Sequence, residues 1–66
     1  MAYRIVGTKD FSRREDAEAF LVSRDYRFIA AYSHDETWVN EAGLECVLSE
    51  SSPDGGDYNV RCDFYN

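Results

Sequence analysis

The stretch Ser51-Ser52-Pro53-Asp54-Gly55-Gly56-Asp57 places seven turn-forming residues between two runs that alternate apolar and polar side chains. Gly supplies unusual backbone angles, Pro fixes φ, and Asp and Ser bond their own backbone, so the chain must reverse here. The flanking runs, Leu44 to Glu50 and Tyr58 to Tyr65, read as the two strands of an antiparallel hairpin. Pairing positions whose numbers sum to 108 aligns the apolar sets, so that Leu44 faces Phe64, Cys46 faces Cys62 and Leu48 faces Val60. A slip of one residue would turn that set to water. The C-terminal half is therefore committed to a sheet with one buried face.

The N-terminal half supplies a helix to cover it. Tyr3-Arg4-Ile5-Val6-Gly7-Thr8 has the β-branched and aromatic character of a first strand. Ser12-Arg13-Arg14-Glu15 then matches a capping box, in which Ser and Glu satisfy orphaned helix donors reciprocally. The residues that follow contain good helix formers and neither Gly nor Pro. Ala17, Phe20 and Leu21 share one face, Glu15, Asp16 and Glu18 sit near the positive end of the dipole, and Arg24 sits near the negative end. These signals predict a helix from about Arg13 to Arg24. Tyr26 to Tyr32 reads as a second strand of ambiguous facing, with Phe28 and Ala30 on one side and Ile29 and Ala31 on the other. After a polar turn at Ser33-His34-Asp35-Glu36, Thr37-Trp38-Val39 pairs with Leu44-Glu45-Cys46 around Asn40-Glu41-Ala42-Gly43. A short helix from Glu36 to Ala42, capped by Asp35 and ended by Gly43, is the alternative for that segment. The expected fold is α+β: an antiparallel sheet of four to five strands with one helix packed on one face, in the order β-α-β-β-β with room for one extra short strand.

All 66 residues belong to one expected domain, 1–66, because chains this short do not divide. An apolar fraction of 44% with ten aromatic residues supports one small core and argues against a disordered chain. Apolar stretches such as Phe28-Ile29-Ala30-Ala31 are too short to span a membrane, and Met1-Ala2-Tyr3-Arg4 has no signal-peptide character. The expectation is a cytoplasmic protein. Cys46 and Cys62 are too few for a disulfide scaffold and wrongly spaced for zinc, so they read as reduced core residues.

No catalytic or metal-binding pattern emerges. His34 has only Asp35 and Glu36 beside it, and these match no ligand spacing. Ser49, Ser51 and Ser52 lack a nucleophile elbow. Asp54 to Asn59 lacks the alternating ligands and terminal Glu of a calcium loop and reads as a turn. The expected protein is not an enzyme and carries no cofactor and no metal.

Charge is the informative feature. The net charge is −6, yet residues 1–34 hold six basic residues against five acidic ones. Residues 35–66 hold Arg61 alone against Asp35, Glu36, Glu41, Glu45, Glu50, Asp54, Asp57 and Asp63. Such an excess argues against direct contact with nucleic acid, which requires cations to displace counterions. It suits a basic partner. In the expected register Glu45 lies opposite Asp63 with Arg61 diagonally beside Glu45, Glu50, Asp54 and Asp57 crowd the hairpin tip, and Asp35, Glu36 and Glu41 crowd the other turns. Same-face residues on one strand lie about 6.7 Å apart, of the order of successive phosphates.

In size, acidity and lack of catalytic motifs the chain resembles the small inhibitors that phages encode against bacterial defence enzymes, including anti-CRISPR proteins and anti-restriction DNA mimics. That resemblance implies a stoichiometric inhibitor acting in the cytoplasm of a bacterial host cell. Its eight C-terminal carboxylates would stand in for DNA on the basic DNA-binding surface of a nuclease or CRISPR surveillance complex. The alternative from a different class is a small non-enzymatic adaptor or regulatory module. It would bind a protein through a sheet edge or through exposed aromatics, with Tyr26, Tyr32, Trp38 and Tyr65 as candidates.

Overall fold

The computed structural model describes residues 4–33, 35–51 and 58–66. Five strands and one helix follow one another as β1 (Ile5–Phe11), α1 (Arg14–Ser23), β2 (Arg27–Tyr32), β3 (Asp35–Val39), β4 (Glu45–Ser51) and β5 (Asn59–Tyr65). The strands form one antiparallel sheet in the order β1-β5-β4-β3-β2. Strands β2 to β5 run as a meander, and β1 adds beyond β5, so the helix connects the two opposite edges of the sheet. The α+β class and the strand count match the expectation from sequence.

The helix lies chiefly over β1 and β5. Its fully buried residues, Ala17 and Leu21, meet Trp38 of β3, Cys46 and Leu48 of β4, and Val60 and Cys62 of β5. Phe11, Phe20, Tyr26 and Phe64 close the margin of this core, with Phe20 at 5.5 Å from Phe11 and 6.1 Å from Phe64 between ring centroids. Cross-strand pairing sets the side chains of this covered face in lateral rows. One runs Gly7, Phe64, Cys46, Trp38, Phe28, and the next runs Lys9, Cys62, Leu48, Glu36, Ala31.

Several local expectations require correction. The register of β4 and β5 pairs positions that sum to 110: Cys46 faces Phe64, Leu48 faces Cys62 and Val47 faces Asp63. Glu45 therefore does not face Asp63, and Arg61 sits opposite Ser49 rather than beside Glu45. The shift is two residues, which preserves every facing because side chains alternate with period two. Hydrophobic alternation thus gave the facing of Cys46, Leu48, Val60, Cys62 and Phe64 and could not choose between registers of equal parity, while Leu44, expected opposite Phe64, lies before β4 and is 37% exposed. The cysteines become diagonal neighbours instead of a directly opposed pair.

The helix occupies Arg14–Ser23, one residue inside each expected end. Ser12 does not cap it. Strand β1 continues to Phe11, so Arg13 becomes the N-cap, extended at φ −138° and ψ 141°, with no side-chain cap bond. Glu15 pairs with the Arg13 guanidinium, so the reciprocal capping box is replaced by an exposed ion pair. Lys9, Asp10 and Phe11, beyond the expected end at Thr8, stay extended because each finds a partner on β5: Cys62, Arg61 and Val60.

Residues Asp35 to Val39 form a strand, which excludes the helical alternative for Glu36 to Ala42. The β3–β4 turn closes as the sequence suggests. Gly43 takes φ +85°, its N–H donates to the Asn40 carbonyl, and the Asn40 side chain accepts from the Leu44 N–H at 2.9 Å. The ambiguous facing of β2 has a specific cause. Its register with β3 shifts between Phe28 and Ala30, leaving Ile29 as an extra residue. Phe28 and Ala31 therefore share the covered side, and Arg27, Ala30 and Tyr32 share the other.

Leu21 is fully buried in the core between the helix and the sheet. Leu21→Ala should lower unfolding stability by about 2–5 kcal/mol, most of what so small a domain possesses. Urea denaturation followed by circular dichroism measures this; Val22→Ala, on the exposed side of the same turn, should change stability by less than about 0.5 kcal/mol.

Candidate surface for a basic partner

Six of the eight carboxylates singled out from sequence lie within the described residues; Asp54 and Asp57 lie outside them. They divide into two groups. Glu36 and Glu50 are on the covered face, since Glu36 lies across from Leu48 and Ala31, and Glu50 across from Val60. Both lie within strands, Glu36 where a turn is expected and Glu50 near the end of β4, as the strand reading of Leu44 to Glu50 has it. Arg14, at the start of α1, reaches down between them and pairs with each. Its guanidinium also stands 3.9 Å from Glu18, one turn along the helix. The Trp38 indole N–H donates to the second Glu36 oxygen at 3.0 Å.

That arrangement ties the helix start to β3 and β4. The Glu36 side chain is only 14% exposed and that of Arg14 only 32%, so the pair is partly desolvated and positioned by packing. Glu36 and Glu50 thereby share the single Arg14 charge on the covered side of the sheet. Neither signal was readable in advance, because Arg14 is separated from them by 22 and 36 positions and only the sheet register brings them together.

The second group faces the uncovered side of the sheet, which no helix reaches among the described residues. There the lateral rows run Thr8, Asp63, Val47, Thr37, Ala30 and Asp10, Arg61, Ser49, Asp35, Tyr32. Glu45 shares this side, across from Val39. Glu45 and Asp63 are diagonal neighbours flanking Val47, which sets their attachment points about 7–8 Å apart. Glu41 stands exposed in the β3–β4 turn.

Ion pairing sorts these charges further. Arg61 is taken up by Asp10 at 3.2 Å, and Asn59 donates to the same Asp10 oxygen at 3.3 Å. The Asn59 hydrogen bond, then that of Arg61, holds the Asp10 carboxyl below the usual carboxylate range. Asp63 accepts a hydrogen bond from the Thr8 hydroxyl at 2.9 Å. Among the described residues, Asp35, Glu41, Glu45 and Asp63 have no cation within pairing distance.

Four of the basic residues, Lys9, Arg13, Arg14 and Arg24, lie on the helix side, and Arg27 and Arg61 lie on the uncovered side. Lys9 lies over the Phe11 and Phe20 rings at 5.6 and 5.4 Å, and Arg24 covers Phe20 at 5.1 Å. Arg13 and Arg14 are held at the helix start. The helix side holds its cations among Glu15, Glu18, Glu36 and Glu50, whereas the uncovered side carries only Arg27 and Arg61 against Asp10, Asp35, Glu45 and Asp63.

No family model, curated protein or solved structure matches the chain.

Other candidates resolve differently. Among the four aromatics named for an adaptor, Trp38 is 7% exposed and belongs to the core, and Tyr26 stacks edge-on against Phe64 at 5.9 Å. Tyr65 is half-buried, while Tyr32 is 72% exposed. His34 lies outside the described residues. No cluster of three metal-ligating side chains occurs among the described residues, and no helix there is long and apolar enough to cross a membrane. A concavity at the helix start is lined by Ser12, Arg13, Arg14, Glu15, Glu18 and Tyr58, and it holds acid and base in near balance.

Cys46 and Cys62 are both free and fully buried. Contact with the Cys62 thiol, and then burial, push the Cys46 thiol above its ordinary value. The thiolate is the reactive form. In the native protein neither cysteine should react with a thiol reagent at pH 8, whereas unfolding in guanidinium without reductant should release two titratable thiols. Finding none after unfolding would mean a disulfide.

The Arg14 cluster makes a second, independent prediction. Arg14→Ala should cost about 1–3 kcal/mol, between the ranges for exposed and buried ion pairs. Arg13→Ala, which removes only the exposed pair with Glu15, should cost less than about 0.5 kcal/mol. Parallel urea titrations compare the two.

Proposed function

We propose that this protein is a stoichiometric, non-catalytic inhibitor that uses the uncovered face of its sheet to occupy a basic nucleic-acid-binding surface on another protein. The partner class is a nuclease or CRISPR surveillance complex in the cytoplasm of a bacterial cell, as expected for a phage-encoded anti-CRISPR-like DNA mimic. One observation carries the reading. Asp35, Glu45 and Asp63 stand without ion pairs on a single sheet face whose two cations are Arg27, on edge strand β2, and Arg61, taken up by Asp10, while Lys9, Arg13, Arg14 and Arg24 are held on the opposite side or at the helix ends.

The binding set is smaller than the total charge suggests. Glu36 and Glu50 are removed from it by Arg14, and Asp10 is balanced by Arg61. Asp35, Glu41, Glu45 and Asp63 remain, together with Asp54 and Asp57, whose positions lie outside the described residues. The face also carries half-buried Thr37, Ser49 and Asn59, which can exchange hydrogen bonds with a polar groove, and half-buried Val47 and Val39, which give it apolar contact. A carboxylate array on a rigid sheet presents its charges without the entropy cost of ordering a flexible segment.

The test uses the protein recovered when this chain is bait in extract of its native cell. Replacing Asp35, Glu41, Glu45 and Asp63 together by Lys should weaken that complex by about a hundredfold and chiefly slow association, because complementary fields act on the on-rate. Glu36→Gln should leave affinity unchanged at matched stability. Duplex DNA should compete with the wild-type protein, and affinity should fall steeply between 0.1 and 1 M salt as the screening length shrinks from about 10 to about 3 Å. Simultaneous binding of DNA and this protein, with affinity indifferent to the four reversals, would refute the proposal.

A further inference from the structure

Strand β2 is an edge of the sheet, and three of the eight large apolar residues that the described structure exposes lie within its six positions. Phe28 is 52% exposed, Ile29 55% and Tyr32 72%. The strand carries one charge, Arg27, and no Pro. Proteins normally protect an edge with charges, prolines or bulges, because its unpaired N–H and C=O groups invite another strand. The opposite edge, β1, has a register shift at Ile5 and Gly7 and also carries Lys9 and Asp10. Strand β2 has the bulge and the single charge of Arg27 at its start. We infer that β2 is a homodimer interface, pairing antiparallel with β2 of a second copy about a two-fold axis at Ala30.

The bulge selects the register. Because Ile29 is the extra residue, side chains along β2 alternate through Arg27, Phe28, Ala30, Ala31 and Tyr32. Arg27, Ala30 and Tyr32 face the uncovered side, and Phe28 and Ala31 the covered side. Placed antiparallel with Ala30 opposite its own copy, Phe28 meets the second copy's Ala31 and Arg27 meets its Tyr32. All five positions then pair like side with like side. The two bulged residues fall on opposite sides of the axis, each facing an unbulged step, which is the arrangement an antiparallel ladder tolerates. Ala30, the residue that must approach itself, is small.

Charge complementarity favours a second copy over an unrelated strand. Tyr32 lies beside Asp35 on β3, on the same side of the sheet as Arg27. The pairing thus brings Arg27 of each copy to Tyr32 and Asp35 of the other, two strands away at about 9.6 Å between backbones. A guanidinium and a carboxylate can close that span. Arg27 makes no ion pair among the described residues within one chain, and the two-fold supplies two such pairs. The helix lies over the far side of the sheet, so Phe28 rests edge-on against Trp38 at 5.8 Å with its outer side free for a neighbour. The product is a continuous ten-stranded sheet.

This inference does not rest on the proposed inhibitor role, although it withdraws Asp35 from the carboxylates offered to a basic partner, and sedimentation of the purified chain tests it without any partner. Wild type should shift with concentration from 7.6 kDa to twice that mass. Arg27→Glu should raise the dimer dissociation constant by about tenfold or more, since it sets like charges facing. Arg27→Glu combined with Asp35→Lys should restore it, because each new Glu then meets a new Lys on the other copy. That recovery also shows the fold intact. A monomer at all concentrations up to millimolar, a dimer indifferent to Arg27→Glu, or a loss that the double exchange does not restore would each overturn the pairing.

Discussion

A five-stranded sheet with one ten-residue helix can bury only one of its faces, and that constraint shapes the whole molecule. Strands β4 and β5 answer it by placing Cys46, Leu48, Val60 and Cys62 on the side the helix covers. Their other side is left to Val47, Ser49, Arg61 and Asp63, a mixture that water tolerates. Because the helix links β1 to β2 across the full width of the sheet, it also fixes which strands become edges. A small core results, so single ion pairs and edge contacts carry weight that a larger domain would spread.

Arg14 shows how that works. A lone arginine at the start of the helix would be an ordinary surface charge. Here it stands against Glu36 and Glu50, with Trp38 donating to Glu36, so charge and packing hold the same point of the helix against β3 and β4. The helix has no side-chain N-cap. An anchored first turn substitutes for one, because docking against the sheet fixes the helix start that a capping side chain would otherwise stabilise. The cluster also withdraws two carboxylates from the surface, so net charge overstates how much acid a partner can reach.

The fold was legible in the sequence to the extent that it depends on local pattern. The alternation of Leu44 to Glu50 and Tyr58 to Tyr65 gave two central strands and their buried faces, and Ala17, Phe20 and Leu21 gave the helix and its inward side. Register was not legible. Sums of 108 and 110 bury the same residues, and the choice rests on how β1 and β3 pair on either side. Long-range ion pairs were hidden for the same reason: Arg14 with Glu50, or Arg61 with Asp10, exists only once the register is set. The misreading of Ser12 as a cap followed from ending β1 at Thr8, because poor strand formers at Lys9 and Asp10 are held extended by β5 rather than by their own propensity. Trp38 was misread as a contact aromatic because a single Trp in a short strand carries no signal of which way it faces.

The bulge in β2 joins these strands of argument. Phe28 and Ile29 are adjacent, and a regular strand would send them to opposite sides with no consistent apolar face. The extra residue restores phase, letting Phe28 reach Trp38 while Tyr32 and Arg27 keep to the uncovered side. A bulge usually protects an edge by increasing its twist, yet here it stands where protection by charge is weakest. That combination is what an edge requires when it must refuse a generic strand but accept one with the same irregularity. The uncovered faces of two copies would then be continuous through Ala30, and Asp35, nearest the axis, would be balanced by Arg27 of the other copy. Glu45 and Asp63 lie further out, so the carboxylates left for a basic partner would be those toward β4 and β5, at the centre of each copy's sheet.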